Sequence, residues 1–309
     1  MQSSKDCKLL PLIALARQSL LVPSKSPQAR ALLTTFIFLP ISALRESTVT
    51  FPKPEEVGPG EVVKRILLAG VDPFRVFAEI SRRPDSVGAF ACMLMLAVAH
   101  FLGNSSLVSK VVLYAAKGEA VKPEVLSIGD VRRVVAVNAT SFRRVGPLNE
   151  EHYAALNMLS LGYALVTWIA WALALWLSVK LVGGSTGPVV VLSGYMLSAK
   201  IYENLTKAVI LVVYLKGLSR IELFLAQSAQ RVNTVMSLVS LAIAEVSGLQ
   251  TALLAHMAFF AVWNLVVSTA AVYQGGLVAL KRSIVSGVIA YILASSIQSI
   301  AYTLIASTI

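Results

Sequence analysis

Charged side chains are what this sequence has least of. Asp, Glu, Lys and Arg make up 14% of its 309 residues, against about 25% in an ordinary soluble domain. They are missing altogether from residues 86–109, 152–179 and 246–280, and from everything after Arg282. Each gap exceeds the roughly 20 residues that carry a helix across about 30 Å of hydrocarbon. This argues for a multi-pass α-helical membrane protein and against a soluble one. Cysteine is scarce too: Cys7 and Cys92 make neither a disulfide framework nor a metal-ligand pair. The three histidines, His100, His152 and His256, have no carboxylate at metal-ligand spacing. Walker-type, HExxH, CxxC and GxSxG patterns are all missing. These absences point away from an enzyme and suggest no metal and no cofactor.

What is present is apolar and basic. Hydrophobic residues make up 56% of the chain and the net charge is +11. A basic balance can mark a nucleic-acid binder, but no basic stripe interleaved with aromatics occurs. Lys and Arg gathered at cytoplasmic helix ends explain it equally well. The bilayer, and not nucleic acid, is the expected partner.

Residues 1–60 read as a poorly ordered leader closed by the Pro/Gly-rich stretch FPKPEEVGPG. The membrane domain is expected over residues 61–309. It begins with VDPFRVFAEISRRPD, residues 71–85. Asp72 suits an N-cap and Pro73 suits the first helical position. Arg75, Glu79, Arg82 and Arg83 recur at i, i+4, i+7 and i+8, while Phe74, Phe77, Ala78 and Ile80 cover much of the remainder. Such a helix is expected at the interface, with its arginines among head groups and its phenylalanines among acyl chains. Pro84 ends it, and Asp85 can cap the next helix.

Five spans are expected, at about residues 87–108, 153–179, 192–215, 251–274 and 283–307. A sixth is the alternative, from VNTVMSLVSLAIAEVSG starting at Val232. The fold class is an all-α transmembrane bundle with no soluble domain of any size. Its first loop carries Arg132, Arg133, Arg143 and Arg144 and one possible strand, VRRVVAV. Basic residues ahead of the first span predict a cytoplasmic N-terminus. Sequons at Asn104 and Asn138 fit an outward first loop.

The sharpest polar feature is Lys200, Glu203 and Lys207, whose spacings of three and four give one helix face, with Glu203 placed to pair with Lys207. Ionisable groups retained in hydrocarbon often line a pathway or form a buried pair. Closeness to the GGSTGP turn at 183–188 favours instead a position at the membrane surface, with snorkelling lysines. His256, Asn264 and Gln298 suit hydrogen bonds between helices.

Three stretches together resemble the Yip-domain family of multi-pass membrane proteins, named for members that interact with Ypt/Rab GTPases. They are DPFRVFAEISRRPD, LVGGSTGPVVVLSGYMLSA, and FFAVWNLVVSTAAVYQGGLVALKRSIVSGVIAYIL, in order across about residues 63–307. The resemblance implies a five-span bundle with a cytoplasmic N-terminus and a prokaryote-like member in the cell membrane. It also implies a non-enzymatic role in membrane organisation or in assembly with partner proteins or further copies of itself. The alternative is a small permease, or the membrane subunit of a transporter, with Lys200, Glu203 and Lys207 on its pathway.

Overall fold

A computed structural model describes residues 57–227 and 232–308. Most of the expected leader, residues 1–56, lies outside them.

Two short helices come first, α1 (Pro59–Ala69) and α2 (Pro73–Arg82), each opening on a proline at its first position. The tight turn between them is set by Val71 and Asp72, whose N–H groups both donate to the Leu68 carbonyl. The last carbonyls of a helix have no partner of their own. Here other helices supply several. Tyr202 donates its hydroxyl to the Leu67 carbonyl at 2.9 Å, Trp263 its indole N–H to the Gly70 carbonyl at 2.8 Å, and Ser198 its hydroxyl to that of Ile66. The outward face of α1 carries Val63 and Leu67.

Asp85 then caps α3 (Ser86–Val108) as the sequence predicts, accepting from the Gly88 N–H at 2.7 Å. Four further helices are α4 (Glu150–Leu181), α5 (Val189–Tyr214), α7 (Leu249–Gly276) and α8 (Leu280–Thr308), with α6 (Val232–Ala244) between α5 and α7. Close contacts fix their directions. Gly88 meets Tyr195 while Gly103 meets Asn204 and Ala208, so α3 and α5 run parallel. Leu192 meets Gly275 and Glu203 meets Asn264, so α5 and α7 are antiparallel. Tyr163 faces Tyr302 and Trp171 lies near Tyr291, which makes α4 antiparallel to α8. Glycines at these crossings let backbones approach as transmembrane helices do.

The all-α expectation needs correction, because the protein also folds a five-stranded sheet. Its strands are β1 (Val111–Ala116), β2 (Glu119–Ile128), β3 (Val131–Asn138), β4 (Arg143–Pro147) and β5 (Arg220–Ala226), in the order β2-β3-β5-β1-β4. The strand read at VRRVVAV is β3. Central β5 is parallel to both neighbours, and the two edge strands are antiparallel. One face buries Val111, Leu113, Val134, Ile221 and Leu223 in a cluster with Leu107, Leu211 and Leu215 from the ends of α3 and α5. Helix α6, the candidate sixth span, packs Val235, Leu238 and Val239 into the same cluster. At 13 residues it would be only about 20 Å long.

This sheet constrains the path of the chain. It leaves the sheet from β4 through α4, turns at Gly183, where φ is +73°, and returns through α5 to β5. Lys110, just past α3, clasps the end of α5 by donating to the Leu215 carbonyl at 2.9 Å and to that of Leu218. The far turns also meet, since the Ser185 N–H donates to the Gly276 carbonyl at 2.9 Å.

By length and composition, α3, α4, α7 and the first 25 residues of α8 can each cross a membrane, so the chain is a membrane protein. Helix α5 is as long as these, but it carries Lys200, Glu203 and Lys207.

Candidate functional site

The first cluster of charge sits where α1, α2, α3 and α5 converge. Its centre is Arg65, 2% exposed. The guanidinium is a planar fork of five donors, able to serve several acceptors at once. It reaches Glu61 Oε1 at 2.8 Å, Glu79 Oε1 at 3.1 Å and the Arg83 carbonyl at 3.0 Å, with Asp85 Oδ2 at 3.7 Å. Tyr195 donates its hydroxyl to the same Asp85 oxygen. The guanidinium thus ties α1 to α2, and Asp85 joins the pair to the start of α3 and, through Tyr195, to α5, which makes this cluster a fastening.

The expectation that the phenylalanines of α2 lie among acyl chains is corrected by its packing. Phe77 is fully buried beside Val76 and Ile80 in the bundle core, and Phe74 meets the Tyr273 ring edge-on at 6.2 Å. The phenylalanines hold the helix to the protein. Arg75, Arg82 and Arg83 are exposed and line an open groove of about 470 Å³ with Glu79 and Ala78.

The second cluster lies midway along the bundle. Lys200 is the twelfth residue of 26 in α5, roughly 16 Å from the helix start at 1.5 Å per residue. The GGSTGP turn is therefore close in sequence and distant in space. Lys200 Nζ lies 2.7 Å from Glu203 Oε2, and Asn264 of α7 donates to that oxygen at 3.0 Å. Glu203 thus pairs three residues back instead of four forward. Lys207 is exposed, so its stem can carry the ammonium toward the sheet end. His256 and Thr206 join α7 to α5 at 2.9 Å, the helix-bridging role expected of His256.

Neighbouring helices extend this polar layer. His100 of α3 is 3.0 Å from Ser160 of α4 and stacks on Tyr163 at 4.3 Å. Asn104 lies half-buried beside His100 at 3.2 Å, four residues before the end of α3.

Helices α4 and α8 carry polar groups that sequence reasoning left out, apart from Gln298. Thr167 and Trp171 are 0% and 1% exposed. Yet Thr167 Oγ1, Trp171 Nε1, Trp168 Nε1 and Gln298 Nε2 have no hydrogen-bond partner among the described residues. Gln298 thus makes no helix bridge there. The pairs Tyr163–Tyr302 and Trp171–Tyr291 set the register, bringing Thr167 level with Gln298. An unmet buried polar group costs about 1–3 kcal/mol, and three of these four fall within five residues of α4. The available signal was Thr167, Trp168 and Trp171 at i, i+1 and i+4 in a charge-free helix.

Among the described residues no group of His, Cys, Asp and Glu could hold a metal. Compared with protein-family models, with curated proteins and with solved structures, the chain returns no match.

Proposed function

We propose that the chain is a five-span membrane protein acting as a small proton-linked permease, with Glu203 as the group that takes up and releases the proton. The observation behind this reading is the ion pair of Lys200 and Glu203 at mid-helix, steadied by Asn264 from across the bundle. Ionisable groups so far from either end of a span are costly and tend to mark pathways.

Sheet connectivity supports α5 as the fifth span. Strands on either side of the α4–α5 pair belong to one sheet, so if α4 crosses the membrane, α5 must cross back. The arginines of α2 and the short basic turn at Lys281 and Arg282 favour a cytoplasmic side for the end opposite the sheet. In a Cys7→Ser chain, where Cys92 stays buried, cysteines introduced one at a time at Asp130 and Glu245 are expected to react with an impermeant maleimide from one side, and a cysteine at Ser185 from the other. Labelling of all three from one side would refute the five-span arrangement.

The pathway is tested in liposomes holding a pH-sensitive dye. Under an imposed potential, the wild-type chain is expected to admit protons well above empty vesicles. Glu203→Gln should fall to the empty-vesicle rate, roughly ten-fold or more lower, a loss of about 1.4 kcal/mol per decade. Equal rates for wild type and empty vesicles would remove the proposal.

A second reading is a Yip-type membrane organiser. It is favoured by the order of short helices followed by long ones and by the arginine-lined groove of α2 at one end of the bundle. There the partners would be anionic lipid or other proteins, and loss of Glu203 would leave assembly intact.

A further inference from the structure

We infer that the arginine-lined groove of α2 is a binding site for the phosphodiester head group of an anionic phospholipid. The inference rests on the reading of the chain as a membrane-spanning bundle. It names the partner that the organiser reading leaves open between lipid and protein, and it holds equally for a permease.

Helix α2 presents its cations from a fixed support. Val76, Phe77 and Ile80 are buried in the bundle core, so the opposite face is turned outward. On that face Arg75, Glu79 and Arg82 recur at i, i+4 and i+7. With Ala78 and Arg83 they line one groove of about 470 Å³, a size that accommodates a small ligand group. The side chains of Arg75 and Arg82 make no hydrogen bond or ion pair among the described residues. Glu79 would oppose an anion, but its Oε1 already accepts from Arg65 at 3.1 Å, so the arginines are in excess. A guanidinium fork matches phosphate oxygens two at a time.

The position of the groove selects which phosphate. At one end of α2, Phe74 meets Tyr273, three residues before the end of α7. At the other, Arg82 and Arg83 stand just ahead of α3, which begins at Ser86. Both ends of α2 therefore lie level with the ends of spanning helices, where head groups are found. The neighbouring segments expose apolar side chains: Val63 and Leu67 on α1, Val71 in the turn, and Val87 and Phe90 at the start of α3. Val87 is four residues past Arg83, at most about 14 Å along the chain. A molecule carrying both a phosphate and acyl chains can meet the arginines and these residues together. A free anion or an acidic peptide would meet the arginines alone.

The site is tested on the full chain in detergent micelles, with thermal unfolding followed by dye labelling of buried Cys92 in a Cys7→Ser background. Dioctanoyl phosphatidylglycerol, dioctanoyl phosphatidylcholine or glycerol phosphate is added at constant ionic strength. A ligand that binds only the folded protein raises the unfolding temperature saturably. Phosphatidylglycerol is expected to do so, and the other two at least about ten-fold more weakly. Arg75→Gln and Arg82→Gln, at exposed positions, should unfold like the parent without lipid. Each should lose about ten-fold in affinity for phosphatidylglycerol, as for a lost hydrogen bond to a charged group. Lys281→Gln removes the same charge from the basic turn at this end of the bundle, outside the groove, and should keep full affinity. An absent phosphatidylglycerol shift, an equal one from phosphatidylcholine, full affinity in both arginine variants, or an equal loss in Lys281→Gln would overturn the inference. Glycerol phosphate binding as tightly would make the ligand a free phosphate and overturn it too. The two readings fail separately. Lost lipid specificity, with the introduced cysteines still labelling from opposite sides, would remove this inference alone. Labelling of all three from one side, with phosphatidylglycerol still held by Arg75 and Arg82, would instead remove the five-span arrangement.

Discussion

Replacing Arg65 with methionine is expected to be among the most damaging single changes in the described part of the chain. Methionine can fill much of the arginine stem's volume, so the loss is mainly one of charge and donors. Two of the partners, Glu61 and Glu79, are 42% and 49% exposed at the side chain and can turn to water. Asp85 cannot, being 8% exposed beneath Tyr195. Removing one member of a buried pair typically costs about 3–5 kcal/mol, because the other charge is left uncompensated. Most of the cost therefore lies with Asp85, which also caps α3. Arg65→Lys should recover little, since one ammonium cannot reach all the acceptors the guanidinium serves. Cys92, fully buried in α3, supplies the reporter. In a Cys7→Ser background a thiol-reactive dye should label it about 10 °C lower in Arg65→Met than in the parent, taking about 2–4 °C per kcal/mol. A shift of under about 2 °C would show that the cluster does not hold the short helices to the bundle.

How much of this was legible beforehand depended on the range of the interactions involved. Long apolar helices announce themselves locally, because hydrocarbon rejects charge wherever it falls. The gaps at 86–109 and 152–179 therefore marked α3 and most of α4. Asp85 and Pro73 were readable for the same reason, since capping and proline rules act within a turn. The sheet was not. Its central strand, RIELFLA, lies about a hundred residues beyond the strands it joins, past two long helices. Nothing local says that it pairs with Val111–Ala116, and its run of buried residues reads as easily as helix. The same distance hid the Arg65 cluster, where residues near 65, 79 and 85 meet Tyr195 only after α5 packs against α3. For the candidate site, spacing alone singled out Lys200, Glu203 and Lys207, of which the structure pairs the first two. Which neighbour Glu203 takes was set by Asn264 from another helix, beyond the reach of an i,i+4 rule. Phe77 shows the opposite failure, since an amphipathic pattern cannot distinguish a protein neighbour from a lipid one.

Gly194→Ala is expected to fail for reasons of space alone. Added carbon at position 194 would lie 2.4 Å from the Ala89 Cβ and 2.8 Å from its Cα. The second atom is backbone and cannot turn aside, so α3 and α5 must move apart. Their far ends are not free to follow, because Lys110 ties α3 to the end of α5 and β1 is hydrogen-bonded to β5 directly beyond. Any separation at Gly194 would tilt the helices against the sheet and also strain the contact one residue away, where Gly88 already lies against the Tyr195 hydroxyl. Overpacking a tight core costs about 1–3 kcal/mol, and both constraints put this site at the upper end. The measurement is the yield of monodisperse protein together with the Cys92 unfolding temperature, which should fall by roughly 5–10 °C. Ala89→Gly in the same chain removes the nearer obstacle and leaves the Cα, so it should restore part of the loss. The coupling between the two changes, not either alone, carries the argument. Additive effects, with Ala89→Gly simply deepening the defect, would mean that α3 and α5 are not in backbone contact at this crossing.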